Sequence, residues 1–261
     1  MYRQRIPFIS AAVMVVAGLL AFFAPLPYAV IKPGPTQNVL ATAIKISGVK
    51  SFSPSGKLLT TTVLVSNPGA RMMGAEVIIN WVEGDSVILP RIALYPKEVS
   101  VKEELQVGKK EMLSSQAAAT TAALAWITHT HTAAQLQALG LDRLTGANIA
   151  IKLQETGGPS AGLVFALGIL AKIEGDDWIR GRTIAGTGTI DGAGNVGPIG
   201  GIDQKLVGAR RAGATVFLVP ADNCADITRV PQGMTIVPVN SLVQAIAVLR
   251  ASGTSYASCP R

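Results

Sequence analysis

Ten consecutive residues, Ala161 to Leu170 (AGLVFALGIL), carry no polar side chain. A helix of that composition is apolar on every side, so it is expected to be enclosed by other elements rather than laid on a surface. The stretch from Thr156 to Lys205 is therefore the part around which the rest of the chain is arranged. Ser160 stands directly before the apolar run, in Gly158-Pro159-Ser160-Ala161-Gly162, and this fits the G-x-S-x-G nucleophile pattern. The pattern is short and arises easily in a chain with 27 glycines, so its surroundings must decide. A serine at the start of a buried helix faces unpaired N–H groups and the positive end of the helix dipole. Both favour an alkoxide and the oxyanion of a tetrahedral intermediate, with Gly158, Pro159 and Ala161 forming the loop around it.

A serine nucleophile needs a base. The only histidines, His129 and His131, both precede Ser160, which excludes the Ser, acid, His order of α/β-hydrolases. A His-Asp-Ser order would have to pack His129 or His131, Asp142 and Ser160 into about thirty residues, a poor fit to a triad. A lysine base is the remaining choice, and two lysines follow Ser160 closely enough to compete. Lys172 lies along the same helix, roughly 18 Å away at 1.5 Å per residue, and cannot reach. Lys205 falls on the apolar stripe Ile202, Leu206 and Ala209 of a second helix, with Asp203, Gln204, Arg210 and Arg211 assigned to the other side. Two readings fit that placement: a desolvated lysine whose neutral amine serves as a base, or a lysine snorkelling from the edge of the core.

Three features then occur in sequence. GPSAG is followed by Thr187-Gly188 ahead of a Gly-rich turn, then by Pro198-Ile199-Gly200-Gly201 with Lys205 four residues on, in a helix ending RAGA. This arrangement resembles the proteolytic domain of Lon proteases. It is more similar still to the membrane-anchored Lon-like serine proteases of bacteria that usually carry a PDZ domain. The likeness is specific from about Ile149 to Pro220, and Met112, Ser115 and Gln116 resemble a helix of the same family. It implies an α/β (α+β) fold of the Lon proteolytic type. Ser160 would be the nucleophile, Lys205 the general base and Thr187 the hydroxyl that orients the lysine. It further implies protein or peptide substrates, no cofactor, and assembly as a homo-oligomer, a hexamer in many relatives. In the PDZ-bearing relatives that domain lies between the helix and the strand feeding the nucleophile. Here His129 to Asn148 fills the gap, which is too short for one.

The start of the chain points to a membrane. Arg3 and Arg5 precede a run from Ile6 to Ile31 without a charge, long enough to cross a bilayer of about 30 Å. Basic residues before the span predict a cytoplasmic N-terminus and an external catalytic domain. A cleaved signal peptide is the rival reading. Ala21 and Ala24 are not spaced A-x-A, however, and the apolar run continues past them, so an uncleaved anchor is expected. Pro25, Pro27, Pro33 and Pro35 make the exit extended. The resulting division is 1–35 as stub, transmembrane anchor and Pro-rich exit, and 36–128 as a strand-rich part ending in an Ala-rich helix from Glu111 to about Ile127. Residues 129–148 form a short connector and 149–261 the catalytic α/β part.

Within the strand-rich part, Ala43–Ile46, Leu59–Val65 and Ala75–Trp81 read as strands separated by turns at Gly48, Asn67-Pro68-Gly69 and Gly84-Asp85. Further along, Ile149–Leu153, Thr183–Ile190, Thr215–Val219 and Met234–Val239 read as strands. A last helix, capped by Asn240 or Ser241, runs to Arg250. Alternating strands and helices make this half α/β.

Several functions are excluded or weakened by the same sequence. Gly192 to Gly197 matches G-x-G-x-x-G, but Pro198 follows where a dinucleotide site needs a helix, so Asp191-Gly192 is read as a hairpin turn. No G-x-x-x-x-G-K-[ST] occurs, so peptide hydrolysis is expected to proceed without an ATPase module in this chain. The formal charge of +7 is spread along the chain, which gives nucleic-acid binding little support. His129 and His131 lack a third ligand, so no metal site is expected. Cys224 and Cys259 are the only cysteines. A disulfide tying down the C-terminal tail and two free thiols are both compatible with the sequence. Two other functions remain compatible with it: a tethered, non-catalytic binding or assembly domain, and an esterase using Ser160.

Overall fold

The computed structural model describes residues 8–97, 99–153, 157–251 and 258–259. Thr156 at the head of the nucleophile segment, and Arg3 and Arg5, lie outside these residues. The chain divides into two compact units, Met1–Lys32 with Leu64–Val101, and Pro33–Val63 with Lys102–Arg261.

The larger unit is built on a parallel sheet. Strands Thr235–Val239, Val216–Pro220, Thr183–Gly186 and Lys57–Val65 lie side by side in that order. Tyr28–Asn38 follows Lys57–Val65, and here Thr62 Oγ1 donates to the Pro35 carbonyl at 2.7 Å. The register puts Leu59, Ala185, Phe217 and Ile236 in one row across four strands. Successive residues on a strand face opposite sides, so Leu58, Ile184, Leu218 and Val237 belong to the other face. These two sets fall into two separate apolar clusters among the described residues. Both faces of the sheet are thus covered, the condition under which parallel strands are stable and read as continuous apolar runs.

One face packs against the helix Gly162–Ile173, in which every residue except Lys172 is buried. The expectation of an enclosed helix therefore holds. Helix Val101–Thr130 belongs to the same layer and buries Met112, Ser115, Ala119, Ala122, Ala123 and Ile127, a stripe with spacings of one to four residues. It begins ten residues before the sequence pattern placed it, with Glu103 and Glu104 in its first turn, where acidic residues suit the helix dipole. Helix Leu242–Arg250 completes that layer, and its Ser241 cap accepts from the Gln244 N–H at 3.2 Å. The opposite face packs against Ile202, Leu206 and Ala209 of helix Ile202–Arg211.

Two of the expected strands come out differently in this unit and the other. Thr183–Ile190 is not one strand: the parallel strand ends at Gly186, and Thr189–Ile190 pairs antiparallel with Val196–Gly197. The hairpin between them turns on Asp191, whose carboxylate accepts from the N–H groups of Ala193 and Asn195 at 3.0 and 2.8 Å. In the smaller unit, Ala75–Trp81 lies within a helix, Gly74–Glu83. Its apolar, partly β-branched composition suggests a strand, but the ends are set by capping. The Glu76 carboxylate accepts from the Met73 N–H at 2.8 Å, and Gly84 closes the helix at φ +71°.

The uncharged run Ile6–Ile31 is also divided. Its described part forms a helix, Phe8–Phe23, and the chain then turns extended at Pro25. Tyr28–Ile31 pairs antiparallel with Val87–Pro90. The helix has sixteen residues, roughly 24 Å at 1.5 Å per residue. Among the described residues, no helix is long and apolar enough to cross a membrane.

Candidate active site

Ser160 closes the loop that enters the buried helix, one residue before its cap Ala161, and is half-buried. The loop is held from two directions. On one side, the Gly158 N–H donates to the Gly108 carbonyl at 3.0 Å, and Ser115 Oγ donates to the Pro159 carbonyl at 2.9 Å, both partners on helix Val101–Thr130. On the other, the Ser160 carbonyl accepts from the Gly188 N–H at 2.8 Å and from Thr187 Oγ1 at 3.0 Å. The Leu163 N–H returns a bond to the Gly188 carbonyl at 3.2 Å. Gly158 adopts φ +90°, a conformation costly to any residue with a Cβ.

Thr187 sits just past the carboxyl end of its strand and is fully buried, its N–H donating to the Leu218 carbonyl at 3.1 Å. Gly188 at φ +151° turns the chain away from the sheet, and a Cβ there would lie 2.9 Å from Val196 Cγ1. Lys205 Nζ donates to Thr187 Oγ1 at 3.3 Å. Thr187 therefore links Lys205 to the backbone of Ser160 in one hydrogen-bonded chain. Of the two readings of Lys205, the structure takes the buried one: it is 3% exposed, and burial lowers its pKa from 10.5 to about 8. Gln204, expected on the solvent side, is buried as well. It shares a side with Gly208, four residues on, where the helix backbone approaches Gly34 of strand Tyr28–Asn38; a Cβ on Gly208 would lie 3.1 Å from the Gly34 carbonyl oxygen.

Beside Ser160 opens a cleft of about 380 Å³ lined by Pro159, Ser160, Thr189, Pro198, Ile199 and Gly200. Its largely apolar far wall depends on Asn223. That side chain is buried, accepts from the Ile199 N–H at 2.9 Å and donates to the Ile199 carbonyl at 2.9 Å, as a paired strand would. It also donates to Asp226 at 2.7 Å. The next residue, Cys224, is bonded to Cys259, which resolves the choice that the sequence left open.

Lys172 lies in the last turn of helix Gly162–Ile173, at the end away from Ser160. His129 and His131 turn their Nδ1 atoms to carbonyls of their own helix, Ala125 and Ile127. Among the described residues, no group of three or more His, Cys, Asp or Glu side chains could hold a metal ion. Sequence reasoning did not assign Gly108 or Asn223 a part in the site. Their contacts span 50 and 24 positions, and nothing local marks them.

The model of the Lon protease (S16) C-terminal proteolytic domain matches residues 114–250. Lon protease 1 of Sorangium cellulosum is 42% identical over 94 residues, covering 34% of this chain and 11% of the relative. Lon protease 2 of Herpetosiphon aurantiacus is 35% identical over 120 residues, 42% of this chain and 14% of the relative. Lon protease 1 of Bacillus subtilis is 39% identical over 77 residues, 30% of this chain and 10% of the relative. The chain thus spans a small part of the length of the curated relatives it matches. The family model extends over more than half of the chain and takes in Ser160, Thr187, Lys205 and both loops that close on them: this chain belongs to the Lon protease (S16) C-terminal proteolytic domain family.

Proposed function

We propose that this chain is a membrane-attached endopeptidase that cleaves protein or peptide substrates with Ser160 and Lys205 and without an ATPase module of its own. The observation that carries the reading is the chain from buried Lys205 through Thr187 to the Ser160 loop. Neutral Lys205 takes the Ser160 hydroxyl proton as Oγ attacks the peptide carbonyl. Backbone N–H groups at the start of the buried helix stabilise the oxyanion. The lysine then returns its proton to the leaving amine, and water hydrolyses the acyl-enzyme. Thr187, anchored at its backbone, keeps the amine pointed at the loop.

Burial sets the working pH. With a pKa of about 8, about one Lys205 in eleven is neutral at pH 7, against about one in 3,000 at a pKa of 10.5. Activity should rise through pH 8 and level off above it. The test is a serine-reactive covalent probe read by intact mass on the wild type, Ser160→Ala and Lys205→Ala. One adduct on the wild type, absent from both variants, supports the dyad. An adduct that survives Lys205→Ala shows a different base, and a folded wild type that never reacts favours the tethered binding domain. Activity on esters with none on any peptide would favour the esterase.

Attachment through the N-terminal helix is supported by its composition and exposure, since none of its residues is buried. An external catalytic part agrees with the Cys224–Cys259 bond, because disulfides persist in oxidising compartments. Release of the full chain from membranes by alkaline carbonate would count against attachment. Light scattering of the detergent-solubilised chain tests for a hexamer.

A further inference from the structure

The helix Gly74–Glu83 is inverted with respect to water. Its buried positions are Gly74 and the polar Asn80, whose carboxamide donates to the Glu76 carbonyl at 2.7 Å and accepts from Ser86 Oγ at 3.3 Å. Its large apolar residues face outward: Ile78 is 54% exposed, Ile79 55%, Trp81 77% and Val82 73%. At 100° per residue these four fall within one arc of about 160°, so they form a continuous face. An apolar face of this kind marks a surface that something else covers.

What covers it follows from the helix beside it. Gly74 is packed against the end of Phe8–Phe23: its N–H donates to the Ala24 carbonyl at 3.2 Å, and a Cβ there would lie 2.1 Å from the Ala21 carbonyl oxygen. Phe8–Phe23 has no buried residue, and Phe8, Ile9, Val13, Met14, Val15 and Leu20, which are spread around its circumference with no gap wider than about 100°, are each more than half exposed. A protein partner covers one side of a helix. Hydrocarbon covers all sides of one helix and the outward face of its neighbour at once.

We infer that the outward face of Gly74–Glu83 is a second membrane contact, with Ile78, Ile79 and Val82 inserted at the acyl boundary and Trp81 at headgroup depth. The helix itself carries two acidic residues, Glu76 and Glu83, and no basic one, so the attraction is apolar rather than a charge interaction with anionic lipid. The inference rests on the reading of Phe8–Phe23 as a membrane attachment and adds to it a shallow helix that fixes how the small unit meets the lipid.

The test uses the full chain reconstituted with phosphatidylcholine vesicles whose acyl chains are brominated near the glycerol end. Bromine quenches tryptophan emission only within contact range, and Trp126 and Trp178 serve as internal references. The inference expects emission to fall in brominated relative to unbrominated vesicles. The fall should be lost in Trp81→Phe and unchanged on raising salt from 0.1 to 1 M, about a threefold shortening of the screening length. Vesicle co-sedimentation without quenching of Trp81 would overturn the second contact and leave the attachment standing. No co-sedimentation would overturn both. Absence of quenching together with a concentration-dependent doubling of mass would assign the face to a second copy of the chain instead.

Discussion

Replacing Lys205 with methionine should make the protein more stable while removing the base proposed for Ser160. Methionine has a similar length and no charge, so it fills the same space on the buried stripe. In the wild type, burial lowers the lysine pKa from 10.5 to about 8, so the folded state binds that proton less tightly than the unfolded state does. Stability therefore rises with pH between those two values and is lowest below pH 8. At pH 7 that lowering corresponds to about 3 kcal/mol of destabilisation relative to a neutral side chain. Leaving Thr187 Oγ1 without its donor returns about 1 kcal/mol of that, so a net gain of about 2 kcal/mol is expected for Lys205→Met at pH 7. For a chain of this size that is about 4–8 °C in Tm.

At pH 9.5 the lysine's own contribution shrinks to about 1 kcal/mol, so the gain should nearly vanish. The assay is thermal denaturation of both proteins, followed by circular dichroism in a non-ionic detergent at pH 7 and pH 9.5. A variant less stable than wild type at pH 7, or an equal gain at both pH values, would show that burial does not lower the Lys205 pKa.

Three further outcomes are expected. Thr187→Val removes both of its side-chain hydrogen bonds and should lower kcat about 10- to 100-fold, with Thr187→Ser restoring most of it; an unchanged rate would separate Thr187 from the lysine. Asn223→Leu should raise KM about 5- to 30-fold through loss of its bonds to Ile199, while a small serine probe labels Ser160 at the wild-type rate; equal losses in both assays would mean the whole site is disrupted. Replacing both Cys224 and Cys259 with serine should cost about 2–4 kcal/mol, given the 35-residue separation that the bond closes, and reducing agent should have no effect on Tm in that variant.

The site was legible where its chemistry is local. Ser160 is marked by five adjacent residues and the apolar helix behind it, and Lys205 by a cation on an apolar stripe. Both signals have the period of a helix, which the sequence carries directly. The helix Gly74–Glu83 was misread for a local reason of another kind. Its run of Val77, Ile78 and Ile79 suggests a strand, while the Glu76 cap and the Gly84 stop, which decide the matter, are single residues easily overlooked.

What residue patterns determined here is that Ser160 precedes an enclosed helix and Lys205 lies on an apolar stripe, the alternation of strands and helices around that helix, and an apolar start. Tertiary structure alone decided that Lys205 is buried rather than snorkelling, because the apolar stripe of its helix packs against the sheet. It alone decided that Thr187 connects the lysine to the serine loop, that Gly108 and Ser115 hold that loop, and that Asn223 fastens the cleft wall. It also settled the pairing of Cys224 with Cys259. Each of these joins residues far apart in the chain. Periodicity and capping fix which residues share a face, but only the folded packing fixes which faces meet.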